Sequence, residues 1–183
     1  MRIIRGLFRG RHFNLPKFFR DRPTTDLAKE ALFNIIENNY YIDKLRVLDL
    51  FAGSGSISYE FASRACTDIT SVDKNLRYVE FIRKTANELG VDINAVKADF
   101  FKYIRTPQAP YDIIFADPPF DMQRIDEIPF EVFTNKLLTP KGWLIIEHSK
   151  NLDFSKHLNF ESHRKYGKVN FSFFAPLEKN IAE

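Results

Sequence analysis

Two nearly continuous apolar runs, Val47-Leu48-Asp49-Leu50 and Ile113-Ile114-Phe115-Ala116, constrain this chain more than any other feature. Each is too short for a buried helix and lacks the alternation of a half-exposed strand, so each reads as a central parallel strand covered on both faces. Further strands are predicted at about 69–73, 92–97 and 142–147, with the two runs themselves extending over 46–51 and 112–117. Helical patterns fall between them at 56–64, 76–89, 100–104 and within 121–138. In the second of these, Val79, Ile82, Ala86 and Leu89 form the buried stripe. Such alternation argues a parallel sheet with helices on both sides. Upstream, Leu27, Ala28, Ala31, Leu32, Ile35 and Ile36 recur at helical spacing after the cap candidates Thr24, Thr25 and Asp26, with Asn38-Asn39 as a stop. Near the end, 159–165 and 169–175 read as two strands joined at Gly167-Lys168, an antiparallel edge to the sheet. The expectation is a single α/β domain with a mostly parallel seven-stranded sheet.

A chain of 183 residues is long enough for one substantial core. Its net charge of +3 is small, but the first 22 residues carry seven cations against Asp21 alone. Arg2, Arg5, Arg9, Arg11, Lys17, Arg20 and Arg22 are interleaved there with Phe8, Phe13, Phe18 and Phe19. That mixture suits phosphate contact and base stacking, although a solvated cationic edge with packed aromatics has the same composition. Residues 1–26 are therefore read as a basic arm belonging to the same domain as 27–183. Cys66 is the single cysteine and is expected to be a small packing residue. The absence of a signal-like segment or a twenty-residue apolar span points to a cytoplasmic protein without membrane association. His157 and His163 lack metal-ligand spacing with the cysteine, so no metal is expected.

Four aspartates, Asp49, Asp73, Asp99 and Asp117, fall at the predicted carboxyl ends of parallel strands, the edge where open α/β sheets bind ligands. After Asp49 comes Gly53-Ser54-Gly55, a tight loop whose backbone can approach a ligand closely at a helix start. The third position of a Gly-x-Gly-x-x-Gly pattern is Ser58. Asp73 lies about twenty residues downstream, where a carboxylate can hold two ribose hydroxyls. Up to this point a dinucleotide enzyme and a methyltransferase fit equally well. Asp99-Phe100 offers an adenine edge, and Asp117-Pro118-Pro119-Phe120 offers an acceptor clamp with a ring beside it. Two prolines fix φ and donate no N–H, so that corner is stiff, and dinucleotide enzymes have no particular use for it.

The combination of Asp49-Leu50-Phe51-Ala52-Gly53-Ser54-Gly55 with Asp117-Pro118-Pro119-Phe120 resembles the class I methyltransferases that act on exocyclic amines. Arg22-Pro23-Thr24-Thr25-Asp26, followed by Glu30-Ala31-Leu32-Phe33-Asn34, resembles more narrowly the RsmD family of bacterial 16S rRNA guanine-N2 methyltransferases. Arg2-Ile3-Ile4-Arg5-Gly6, Arg9-Gly10-Arg11 and His163-Arg164-Lys165-Tyr166-Gly167 extend the likeness over essentially the whole chain. It departs at Ser58, where glycine is common, and at Arg5, where a small residue is common.

The resemblance implies a Rossmann-like domain with S-adenosylmethionine as cofactor. It assigns cofactor contacts to Asp49, Phe51, Ala52, Gly53, Gly55, Asp73, Lys74, Asp99, Phe100 and Thr25. Asp117, Pro118, Pro119 and Phe120 become the catalytic clamp, and Arg2, Arg5, Arg9, Arg11, Arg20 and Arg22 the RNA contacts. The partner it implies is 16S rRNA, in the small ribosomal subunit or an assembly intermediate, met by a monomer. Rival readings are an adenine-N6 methyltransferase on DNA or RNA, a protein glutamine methyltransferase, and a non-catalytic ribosome-assembly binder. The aspartate that opens the clamp, the basic arm and the intact pocket residues count against the last two.

Overall fold

In the computed structural model, which describes residues 1–19, 24–119 and 121–177, both apolar runs are central strands. The elements follow as α1 (Asp26–Asn39), β1 (Arg46–Leu50), α2 (Ser56–Ser63), β2 (Asp68–Asp73), α3 (Leu76–Leu89) and β3 (Asn94–Lys97). They continue with α4 (Phe100–Ile104), β4 (Tyr111–Ala116), α5 (Glu127–Thr134), β5 (Leu138–His148), β6 (Phe160–Tyr166) and β7 (Val169–Phe174). The sheet runs β3-β2-β1-β4-β5-β7-β6, parallel through β5. β7 is antiparallel to both neighbours and lies inside the terminal hairpin, so β6 forms the outer edge.

Strand alternation divides the interior into two cores. Val47, Ile69, Ile113, Phe115 and Ile145 face α1, α2 and α3, whereas Leu48, Leu50, Ile114, Leu144 and Ile146 face α4 and α5. Side chains two residues apart share a sheet face. Asp49, Asp73, Asp117 and Glu147 thereby continue the first set and reach the carboxyl edge on the side of α1–α3.

Two boundaries differ from the periodicity. α1 buries Ala28, Lys29, Leu32, Phe33 and Ile36, while Leu27 is 67% exposed. The buried stripe is rotated toward Phe33 because Lys29 has a buried acidic partner: its Nζ lies 3.1 Å from Glu60 on α2. β5 starts at Leu138 rather than near 142, since its pairing with β4 jumps from Tyr111↔Leu138 to Ile113↔Trp143. The irregular residues between carry Pro140, which cannot donate to a ladder.

Residues 1–13 are docked rather than trailing. Arg2 and His12 form an antiparallel bridge, Ile3 is buried in the first core, and the Leu7 N–H donates to the Ser63 carbonyl at 2.7 Å. Gly6 has φ +85°, and a Cβ there would fall 1.8 Å from the Ser63 carbonyl oxygen, so only glycine permits this approach. Among the described residues, no helix is long and apolar enough to cross a membrane.

Candidate active site

β1 ends at Leu50 and the chain turns immediately. Phe51 has φ +59°, a left-handed conformation that costs a bulky residue about 1–2 kcal/mol. It is held there by its neighbours: the Ala52 N–H donates to Val72 O at 3.0 Å, and the Phe51 ring stacks on Phe100 at 5.1 Å. Gly55 takes φ +77° at the start of α2, where a Cβ would meet the Tyr59 ring at 2.8 Å.

Asp49 supports this loop from below. It is 2% exposed, and its Oδ2 accepts from the Ser58 N–H at 3.2 Å and the Ser58 hydroxyl at 2.5 Å. Ser58 Oγ lies 2.6 Å from Ser71 Oγ, so a buried polar chain ties β1, α2 and β2 together. Burial pushes the Asp49 carboxyl up to about 7, against the lowering effect of the Ser58 bonds. Ser58 thus does more than supply a small side chain; its hydroxyl fills hydrogen-bonding capacity of a buried carboxyl.

Asp73 approaches the same loop from β2. Its Oδ2 accepts from the Gly53 N–H at 3.0 Å and its Oδ1 from the Asn75 N–H at 2.7 Å. Lys74 is exposed beside it. Asp99 is exposed and caps α4 by accepting from the Lys102 N–H at 3.2 Å. Phe100 is 5% exposed, packed against Phe51 and Phe101, so it backs the wall that Phe51 presents at the strand edge.

One strand across, the Asp117 N–H reaches Leu50 O at 3.4 Å, setting Asp117-Pro118-Pro119 beside the glycine loop. Pro118 is buried and Pro119 half-buried, with its carbonyl accepting from the Met122 N–H at 2.9 Å. Phe120 lies outside the described residues, as do Arg20 and Arg22. Next along the edge, Glu147 is 5% exposed and accepts from the Thr24 hydroxyl at 2.7 Å. Burial raises its carboxyl to about 7, and the Thr24 bond opposes that rise. Thr25 is exposed and caps α1, accepting from the Ala28 N–H at 3.3 Å. Four strand ends therefore line one edge: a strained glycine loop, two acidic supports and a diproline corner.

Comparison with known proteins decides what this edge belongs to. The family model described as Conserved hypothetical protein 95 matches residues 1–175. The ribosomal RNA small subunit methyltransferase D of Haemophilus influenzae is 32% identical, over 82% of this chain and 80% of its own length. The chain belongs to the ribosomal RNA small subunit methyltransferase D family. Among solved structures, the methyltransferase candidate yhhF of Escherichia coli is similar with a TM-score of 0.83 and 26% identity, covering 95% of this chain and 96% of its own. A Thermus thermophilus 16S rRNA N2 methyltransferase, solved with AdoMet and guanosine, shares the fold with a TM-score of 0.68 at 20% identity, covering 85% of this chain and 44% of its own.

As a member of this family, the protein is a methyltransferase, and S-adenosylmethionine is its cofactor. The cradle fits that molecule: open backbone at Gly53, the Asp73 carboxylate beside that loop for a ribose, and an aromatic wall at Phe51. The basic segment is less free than its composition suggests. Arg2 pairs with Asp26 at 2.9 Å, Arg5 with Glu37 at 3.2 Å, and Arg11 donates to Glu88 O at 3.3 Å. Acids on α1 and a carbonyl of α3 thus take up three of the cations assigned to RNA. Arg5, the departure from the family pattern, is a docking residue for α1. Arg9 is exposed, without an ion pair among the described residues. The Thr24–Glu147 bond was invisible in the sequence, because its partners are 123 positions apart. Cys66 is buried, and its thiol, pushed up to about 12 by burial, is a packing group.

Proposed function

We propose that this enzyme transfers a methyl group from S-adenosylmethionine to the exocyclic N2 amine of a guanine in 16S rRNA. The observation that carries the reading is the diproline corner lying one strand from the glycine loop, joined to it through Asp117 N–H and Leu50 O at 3.4 Å. Relatives named for small-subunit rRNA methylation support the substrate, and the guanosine in the Thermus thermophilus neighbour's crystal supports the base. In this reading the protein works in the cytoplasm as a monomer, on the small subunit or an assembly intermediate, with residues 1–26 acting as part of one domain.

When bound, the cofactor supplies a methyl carbon already activated by its sulfonium. Asp73 and the Gly53–Gly55 backbone would hold its ribose and amino-acid portions, with Phe51 as the apolar wall for its adenine. The Asp117 carboxylate and the Pro118 carbonyl accept the two amine hydrogens, fixing the nitrogen lone pair toward the incoming methyl. Asp117 also offsets the positive charge that grows on nitrogen. Phe120 provides a stacking face worth about 1–3 kcal/mol, partly compensating the few kcal/mol needed to extrude the base.

Mass analysis of rRNA nucleosides from cells lacking this protein tests the proposal. Loss of one N2-methylguanosine, restored by adding the purified enzyme to small subunits, is expected. Loss of N6-methyladenosine instead, or no change in either nucleoside, overturns it.

A further inference from the structure

A cavity of about 520 Å³ lies between the segment Lys17-Phe18 and the first turn of α3, lined by Lys17, Phe18, Asn75, Arg77 and Tyr78. It is distinct from the acceptor corner, since Asn75 follows the end of β2 whereas Asp117 follows β4, about 10 Å away across two strand spacings. Its walls combine two chemistries. Phe19 stacks on Tyr78 with centroids 4.4 Å apart and planes at 20°, Phe18 lies nearly parallel to Tyr78 at 6.1 Å, and Phe81 braces Phe19 edge-on at 5.1 Å. Lys17 and Arg77 are both exposed, and neither side chain has a partner among the described residues. Asn75 spends its Oδ1 on the Arg77 N–H at 3.0 Å, which leaves its side-chain N–H₂ to donate.

We propose that this cavity binds one nucleotide of the RNA substrate other than the methyl acceptor, its base against Phe18, which the Tyr78 and Phe19 rings back, and its phosphate between Lys17 and Arg77. The inference rests on the RNA-substrate reading above and adds a second point of attachment to it. The cofactor is the poorer occupant: it has no phosphate, its one carboxylate sits beside its own ammonium and sulfonium, and its net charge is positive, so a pair of cations suits a nucleotide phosphate better. A platform of aromatic rings beside phosphate-binding cations is how single-stranded nucleic acid is held, with stacking tolerant of base identity. The three arm arginines spent on docking make this pair more important, because Lys17 and Arg77 remain available for phosphate.

The test is binding of a fluorescein-labelled single-stranded RNA decamer, followed by anisotropy across a salt series, with cofactor binding measured by calorimetry on the same samples. The double variant Lys17→Glu/Arg77→Glu, both at exposed positions, should bind the decamer at least about 10-fold more weakly, and its salt slope should shrink by about 0.7 for the one phosphate no longer neutralised. Phe18→Ala, with both charges kept, should weaken binding about 5- to 150-fold while leaving the salt slope unchanged. Cofactor affinity should not move in either variant. Unchanged decamer binding in the charge variant overturns the proposal, as does weakened cofactor binding with normal RNA binding. Loss in the charge variant alone, with Phe18→Ala normal, also overturns it, in favour of a bare phosphate contact. Because binding rather than methyl transfer is read, a wrong assignment of the modified base leaves this result standing.

Discussion

The glycine loop after β1 and the diproline corner after β4 sit on neighbouring strands, paired at Leu50↔Ala116, yet they owe their shapes to different sources of order. The loop is strained at Phe51 and flexible in principle at its glycines, so side chains from elsewhere hold it. Asp49 grips the first turn of α2 through Ser58, and Asp73 grips the Gly53 N–H. The corner needs less outside help, because ring closure in Pro118 and Pro119 fixes φ covalently. One strand end is shaped by hydrogen bonds over distance in sequence, the other by the residues that compose it. Substitutions near the loop should therefore show up in cofactor affinity and stability, and substitutions at the corner in turnover.

The largest effect should come from Asp117→Ala. Loss of an acceptor aimed at developing charge costs about 10²- to 10³-fold in kcat, with cofactor affinity unchanged, as measured by methyl transfer to purified small subunits and by calorimetry. Equal turnover in the variant would erase the catalytic half of the contrast. Asp73→Ala should behave oppositely. Removal of a charged acceptor that also orders Gly53 should raise the cofactor Kd on the order of 10- to 100-fold, and an unchanged Kd removes Asp73 from the cofactor site.

Ser58→Ala sharpens the comparison, because it deprives the buried Asp49 carboxyl of a donor without touching the surface. Thermal or urea unfolding should show a loss of about 1–3 kcal/mol, whereas a neutral result means the polar chain does not hold the loop.

The smallest effect concerns Glu147, whose carboxyl is raised from 4.5 to about 7 by burial. The folded protein keeps that proton where the unfolded chain has released it, so stability falls as pH rises between 4.5 and 7 and is flat above. Asp49 acts in the same direction from its own ordinary value. Glu147→Gln should make the decline shallower in urea denaturation measured across this window. A decline as steep as in the parent protein assigns the pH dependence to Asp49, on the loop side.

The strand ends were legible because local chemistry specified them. Asp117 closes an apolar run that reads as a covered strand, Asp73 and Asp99 follow shorter strand patterns in the same alternation, and the glycines and prolines after Asp49 and Asp117 mark sharp turns. Helix α3 was legible for the same reason, its stripe of Val79, Ile82, Ala86 and Leu89 being buried as its spacing predicts. The side chains that act between elements were not legible. Leu27 looked like a core position until the Lys29–Glu60 pair turned α1, and the packing of Phe100 against Phe51 and Phe101 left no trace in a local pattern. The charge of the basic segment could be counted, but not the share of it used up by Asp26, Glu37 and Glu88 O.

By itself the sequence determined the order of strands and helices, the acidic residues at the sheet's carboxyl edge and the stiffness of the Asp117-Pro118-Pro119 corner, since each follows from neighbours within a few bonds. Only the tertiary structure decided that Asp49 serves the loop through Ser58, that Thr24 is fastened to Glu147, and that Lys17 meets Arg77 across a cavity. Those pairings join residues far apart in the chain, and burial sets their partners and protonation, which no local pattern encodes.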